Sequence, residues 1–329
     1  MSDVVVVTGA GKGIGRAIAR RFARPGVSLG LLGRGEEALE AARAEVERAG
    51  GRALAVSTDV SDAHAVEEAA GAVEEQLGPI GVWVNNAMTT VFAFFEDITP
   101  EEFERATRVT YLGTVWGTRA ALARMVPRDR GTIVQVGSAM AYRGIPLQSA
   151  YCGAKPAIRG FQEALRTELR HKRSKVHLTM VQLPGLNTPQ FDHCRSKMPE
   201  HPMPVAPIYQ PELAADAVHW AAHHRRREVY VGVPTVYTIL GSKLAPWLAE
   251  RYLARTAVGG QQMTGQPPDP GNQPGNLFEP DGGDPGAHGR FDAKAHERSA
   301  QWWLNRHRRA LGSAAAAALV CAGAMLARD

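Results

Sequence analysis

The junction that most restricts what this chain can fold into lies near its start. A β-branched run, Asp3–Thr8 (DVVVVT), passes through TGAGKGIG at residues 8–15 into the helical pattern RAIARRFAR. A continuous β-branched run reads as a strand buried on both faces, the kind found in parallel sheets. Gly9, Gly13 and Gly15 permit a tight turn with close backbone approach. The N–H groups around Ile14, where the helix begins, are open to a pyrophosphate. A glycine string alone says little, but between a strand and a helix it specifies a nucleotide-binding turn.

Similar apolar runs recur at 27–33, 52–57, 80–84, 132–136, 175–182 and 228–233, separated by stretches with helical spacing such as EEALEAARAEVERA at 36–49. Ser61 and Thr99-Pro100-Glu101 are helix-start signals. Seven strands alternating with helices predict an α/β fold, a doubly wound, Rossmann-like seven-stranded parallel sheet with helices on both faces. Residues 1–235 form this domain. After it, 235–255 predicts one long helix interrupted by Pro246. Residues 261–290 hold 6 Pro and 7 Gly, a composition that predicts a loop draped on the domain or a linker. The extension thus divides into 236–300, helical then Pro/Gly-rich with 291–309 helical, and a tail at 301–329.

Composition excludes other classes. Hydrophobic residues make up 44% and charged residues 22%, which rules out a disordered or collagen-like chain. Three cysteines cannot frame a disulfide scaffold and fit a reducing cytoplasm. A net charge of +5 is too mild to argue for nucleic acid, and the basic runs at 170–175 and 223–227 lie at helix ends without interleaved aromatics. His219 and His223 share a helix face but have no third ligand, so no metal site is expected. Asp3 and the valine strand stand where a leader's basic region would, so no secretory signal is expected.

The spacing TGxxxGxG differs from the GxGxxG of ordinary dehydrogenases and resembles the short-chain dehydrogenase/reductase family, in its compact branch. Further matches follow in order: Asp59-Val60 after the third strand, Asn85-Asn86-Ala87 after the fourth and Ser138 after the fifth. Tyr151 and Lys155 (YCGAK) open the next helix, and Pro184-Gly185 with Thr188 follow the sixth strand. The resemblance covers roughly the first 70% of the chain. It implies a cofactor site built from Gly9, Lys12, Gly13, Ile14, Gly15, Arg34, Asp59, Val60, Asn86, Ala87, Tyr151, Lys155, Pro184, Gly185 and Thr188. Arg34, after the second strand where NAD-binding relatives place an acid, and Lys12 in the glycine loop are suited to a 2′-phosphate. NADP is therefore expected before NAD.

Tyr151 and Lys155 are four residues apart and share a helix face. An ammonium about 4 Å from the phenolate at an effective dielectric near 20 contributes roughly 4 kcal/mol. That is about three pKa units, enough to bring a tyrosine from about 10 towards 7, where it can serve as general acid and base. The resemblance implies that Lys155 also bonds the nicotinamide ribose and that Ser138 polarises the substrate oxygen. Two departures stand out. Thr110 replaces the Asn of the family's middle helix, which predicts a weakened or rerouted proton relay. Met88 replaces the last glycine of NNAG and is expected to line the substrate pocket.

The expected function is hydride transfer between NADP(H) and a ketone or aldehyde, or an alcohol. The expected substrate is a bulky hydrophobic small molecule, held by Phe92, Phe94, Phe95, Tyr142, Ile145, Leu147, Phe191, Met198 and Met203. A non-catalytic NADP(H) sensor or scaffold is the alternative. A homo-oligomer is expected. The tail places Trp302, Trp303 and a basic run before the uncharged stretch 310–327. That pattern suits either a membrane interface at its cytoplasmic face or a helix docked on protein. The expected location is the cytoplasm, with the tail either docked on protein or touching the cytoplasmic face of a membrane.

Overall fold

The structure is a computed structural model and describes residues 3–308. Seven strands, β1 (Asp3–Thr8), β2 (Val27–Gly33), β3 (Arg52–Ser57), β4 (Ile80–Asn85), β5 (Thr132–Val136), β6 (His177–Gln182) and β7 (Glu228–Tyr230), form one sheet in the order β7-β6-β5-β4-β1-β2-β3. Every pairing is parallel. The valine run of β1 shows why both faces must be covered. Val5 and Val7 enter one core with Ile18, Leu39, Ala42 and Val218, while Val4 and Val6 enter the other with Val66, Val73, Ala121 and Met125. All four valines are at most 1% exposed; burying each contributes about 1.5–3 kcal/mol.

The first core is roofed by α1 (Gly13–Phe22), α2 (Glu36–Arg48) and α7 (Pro211–His223). The second is roofed by α3 (Ala63–Leu77), α5 (Gly113–Met125) and α6 (Ser149–His171). Before α5, the helix α4 (Pro100–Thr107) starts with a full capping box between Thr99 and Glu102, as its Thr-Pro-Glu signal predicts. The order reverses between β1 and β4, so a crevice opens at the carboxyl ends of these strands, where such sheets bind ligands.

Several local expectations need correction. Asp62, not Ser61, caps α3 by accepting from the backbone N–H of His64 and Ala65. The sixth strand starts at His177, because the backbone of Lys175 is held in a turn by the Asp129 carboxylate at 2.6 Å. The seventh ends at Tyr230, where Gly232 turns at φ +83°. Instead of one interrupted helix there are two, α8 (Val233–Leu244) and α9 (Pro246–Thr256). Pro246 cannot donate within a helix but suits the first position of a new one. Residues 261–290 lie draped along the domain. Between 291 and 308, helix is confined to 300–308, preceded by a 3₁₀ turn at Asp292–Lys294 and a short bridge strand at Ala295–His296. The apolar stretch 310–327 lies outside the described residues.

Candidate active site

The glycine turn is braced from the neighbouring strand. The Thr8 hydroxyl accepts from the backbone N–H groups of Asn86 and Ala87, each at 3.0 Å, and the Asn86 amide donates to the Thr8 carbonyl at 2.9 Å. Gly9 has φ +65°, and a side chain there would meet the backbone of Ala87 at 2.9 Å. Asn85 does not face this turn. It binds the Trp83 indole and the Thr118 hydroxyl inside the core.

A cleft of 180 Å³ runs from Gly9, Lys12, Gly13 and Ile14 past Arg34, Asp59, Val60, Asn86 and Ala87 to Thr188. Gly15 sits behind this turn, packed against Gly9. Asp59 accepts from Arg105 at 2.6 Å and from the backbone and hydroxyl of Ser61. Although burial pushes its carboxyl up, these contacts hold it below the usual carboxylate range. Arg105 was not legible in advance: it lies 46 residues from its partner.

The second cavity, of 490 Å³, adjoins the first and contains Ser138, Tyr151 and Lys155. Ser138 follows the end of β5, and its hydroxyl accepts from the Met140 backbone N–H at 3.2 Å. Tyr151 stands in the first turn of α6. Lys155, one turn on and 4% exposed, donates to the Val136 carbonyl at 2.7 Å with Nζ 5.3 Å from the Tyr151 ring centre. Pro184 and Gly185 line the same cavity, and Thr188 borders both.

The electrostatics correct the expectation of a lowered tyrosine pKa. Burial pushes the Tyr151 phenol up, with its hydrogen bond to Ser138 pulling the other way. Burial also draws Lys155 down to about 8. With its ammonium held by the Val136 carbonyl, the lysine does not outweigh desolvation of the phenol.

Thr110 lies in the π-helical turn Arg108–Leu112 between α4 and α5. Its hydroxyl accepts from the Thr89 backbone N–H at 3.1 Å and donates to the Thr89 carbonyl at 2.9 Å. Both contacts tie it to the loop after β4, so the hydroxyl is committed to structure rather than to a relay.

The apolar pocket has a different wall from the one expected. Met88, Ile145 and Phe191 line it. Phe92, Leu147 and Met198 instead form a buried cluster with Phe191 and Phe291, against which Met203 packs. Phe94 and Phe95 are exposed at 43% and 68%. The Tyr142 hydroxyl donates to Glu228 at 2.7 Å. In their place Tyr237 of α8 with Tyr252 and Leu253 of α9 close the cavity.

The extension also enters the site. Asn276, Pro280, Asp281, Gly283 and Pro285 line the dinucleotide cleft. Lys12 is paired with Asp281, and Arg34 donates to the carbonyls of Asn276, Leu277 and Phe278. Both cations expected to read a 2′-phosphate are thus engaged by the chain itself. Further along, Arg290 bridges Asp192 and Asp269 beside the buried His201, fastening the extension to the loop after β6.

The family described as short chain dehydrogenase matches residues 3–199. An uncharacterized oxidoreductase of Bacillus subtilis, YxnA, is 32% identical over 96% of this chain and 88% of its own length. That match must include most of the extension. Bovine 3-ketodihydrosphingosine reductase is 36% identical over 57% of each chain. Among solved structures, an alcohol dehydrogenase from the archaeon Thermococcus sibiricus complexed with 5-hydroxy-NADP is similar at TM-score 0.59 and 27% identity, covering 70% of this chain and 95% of that one. A metagenomic short-chain oxidoreductase in complex with NADP aligns equally well at 28% identity, covering 70% of this chain and 96% of that one.

Proposed function

The chain belongs to the short-chain dehydrogenase/reductase family, and we propose that it interconverts a bulky, hydrophobic ketone or aldehyde and its alcohol with NADP(H). The observation that carries this reading is the convergence of Ser138, Tyr151 and Lys155 on one cavity that adjoins the glycine turn. The cradle fits a dinucleotide. Gly9 and Gly15 keep the turn free of side chains, Asn86 fixes it, and Lys12 and Arg34 stand at its ribose end. NADP(H) in two similar solved structures supports the same cofactor here. When bound, the nicotinamide supplies or accepts hydride.

The chain's own groups manage the proton. Tyr151 gives its phenolic proton to the carbonyl oxygen in reduction and takes it back in oxidation, while the Ser138 hydroxyl holds that oxygen. Lys155 orients the nicotinamide ribose and places a positive charge beside the phenol. The apolar wall of Met88, Ile145 and Phe191 excludes water and sets the preference for hydrophobic substrates. Loss of NADPH absorbance with a panel of hydrophobic ketones and aldehydes tests the reading. Tight NADPH binding with complete inertness would favour a non-catalytic sensor.

Cofactor choice is tested separately. Lys12→Ala combined with Arg34→Ala is expected to weaken NADPH at least about tenfold more than NADH, since each charge-assisted contact contributes roughly 1.5–3 kcal/mol. Equal losses in a titration would show that these cations do not read the phosphate.

In this reading 1–235 is the catalytic domain and 236–300 a covering extension, and the molecule works as a homo-oligomer in the cytoplasm. Among the described residues no helix is long and apolar enough to cross a membrane. Peripheral contact through 301–329 is favoured by Trp303 and Leu304, exposed at 54% and 52% just before the apolar stretch. Full-length protein is expected in the membrane fraction and a chain ending at residue 300 in the supernatant. Both in the supernatant would exclude the anchor.

A further inference from the structure

The segment 276–289 is Pro/Gly-rich and buries little of its own, yet it follows a defined path across the adenosine end of the dinucleotide cleft. Leu277 and Ala287 anchor it in apolar clusters, and between them it meets charged or polar groups around the glycine turn and the loop after β2. The Gly286 carbonyl accepts from the Gly13 backbone N–H at 2.9 Å. Asp284 pairs with the buried Arg16 at 3.1 Å, and the Gly283 N–H donates to Glu37 at 3.0 Å. Arg105 donates to the Leu277 carbonyl at 3.0 Å. The strap walls the 180 Å³ cleft that adjoins the 490 Å³ cavity of Tyr151.

Within the strap one side chain is placed differently from the rest. The Asp281 carboxylate, 16% exposed, is paired with Lys12 in the glycine loop. Asp284 serves Arg16, beneath the turn. Asp281 instead supplies an anion at the cation that faces the ribose end of the cleft. Two anions cannot share one ammonium without repulsion, and a carboxylate displaced from Lys12 keeps, among the described residues, only Asn276 Nδ2 at 3.4 Å and His193 Nδ1 at 3.8 Å.

Resting on the NADP reading above, we propose that Asp281 is a cofactor-specificity residue contributed by the extension. Its carboxylate is an internal substitute for the 2′-phosphate on Lys12, and NADP(H) binds by displacing it. The strap thereby sets the affinity for the phosphorylated cofactor from a position more than 260 residues away in sequence from the lysine it competes for. NAD(H), which lacks the phosphate, has no need to break this ion pair.

The test is titration of the full chain with NADP⁺, NAD⁺, 2′-AMP and 5′-AMP in wild type, Asp281→Asn, Asp284→Asn and the Lys12→Ala/Arg34→Ala double variant. Asp281→Asn is expected to tighten NADP⁺ and 2′-AMP about tenfold or more, the effect of removing one competing charged contact. NAD⁺ and 5′-AMP should stay within about threefold, and Asp284→Asn should give no selective gain. Unchanged or weaker NADP⁺ binding in Asp281→Asn would overturn the proposal. So would an equal gain in Asp284→Asn, which would mean that loosening the strap, rather than removing this charge, is what matters. If the double variant loses NADP⁺ while Asp281→Asn is inert, only the role of Asp281 fails. If the double variant treats both cofactors alike, the 2′-phosphate reading fails and this proposal with it.

Discussion

Tyr151→Phe is expected to lower turnover by at least about a hundredfold while leaving NADPH affinity within about twofold, because positioned general acids contribute roughly 10²–10⁴. The substitution keeps the ring and removes one hydroxyl, so packing in the first turn of α6 is preserved. Lys155 keeps its bond to the Val136 carbonyl at 2.7 Å, which does not involve the phenol. Binding and chemistry should therefore separate, with the loss in kcat and none in Kd. With its phenol raised by burial, Tyr151 stays protonated through the neutral range, present as the acid form but a weaker acid than a lowered phenol. Turnover unchanged from wild type would remove Tyr151 from the mechanism, whatever the fold.

Much of this site was legible in the chain because its signals are local. The glycine turn is a strand, a loop and a helix in succession, and the Tyr151–Lys155 pair needs only one helical turn to meet. The parallel, doubly wound character of the sheet follows from alternation and handedness. What escaped was set by contacts between distant residues. Arg105 meets Asp59 across 46 positions, and the strap meets Lys12, Arg16 and Arg34 across more than 240. The composition of 261–290 showed that the segment cannot order itself. It could not show that charged groups of the nucleotide turn would order it.

The apolar wall failed for a related reason. An aromatic residue in sequence can equally fill a core, a surface or a pocket. Here Phe92 was taken by the core, Phe95 by solvent and Phe191 by the cavity. Tyr142 found a carboxylate partner in Glu228, at the far edge of the sheet. Ser61 and Asp62 are adjacent and both able to cap a helix, and sequence had no means to rank them. The cap fell to Asp62, while Ser61 serves Asp59 and Arg105.

Gly15→Ala is expected to abolish dinucleotide binding, with affinity lost by about a hundredfold or more, and to destabilise the fold by about 1–3 kcal/mol, as overpacked sites do. A Cβ at this position would sit 1.9 Å from the Gly9 carbonyl oxygen and 2.7 Å from the Asn86 amide nitrogen. Neither neighbour can yield. The Gly9 carbonyl belongs to the backbone of the turn, and Asn86 is tied to Thr8 at 2.9 Å. Relief requires α1 to move away from the turn, which opens the cradle that holds the pyrophosphate. A thermal melt with and without NADP⁺ reads both effects. Wild type should gain stability from a ligand that binds the folded state, and the variant should melt earlier and gain nothing. Gly160→Ala on α6 is the control, since nothing lies within 4 Å of its added methyl. Replacing a glycine inside a helix there should be neutral or stabilising by up to about 1 kcal/mol. A Gly15→Ala chain that melts and binds like wild type would mean that the turn relaxes without moving α1, and that the cradle does not depend on the closeness of Gly9 and Gly15.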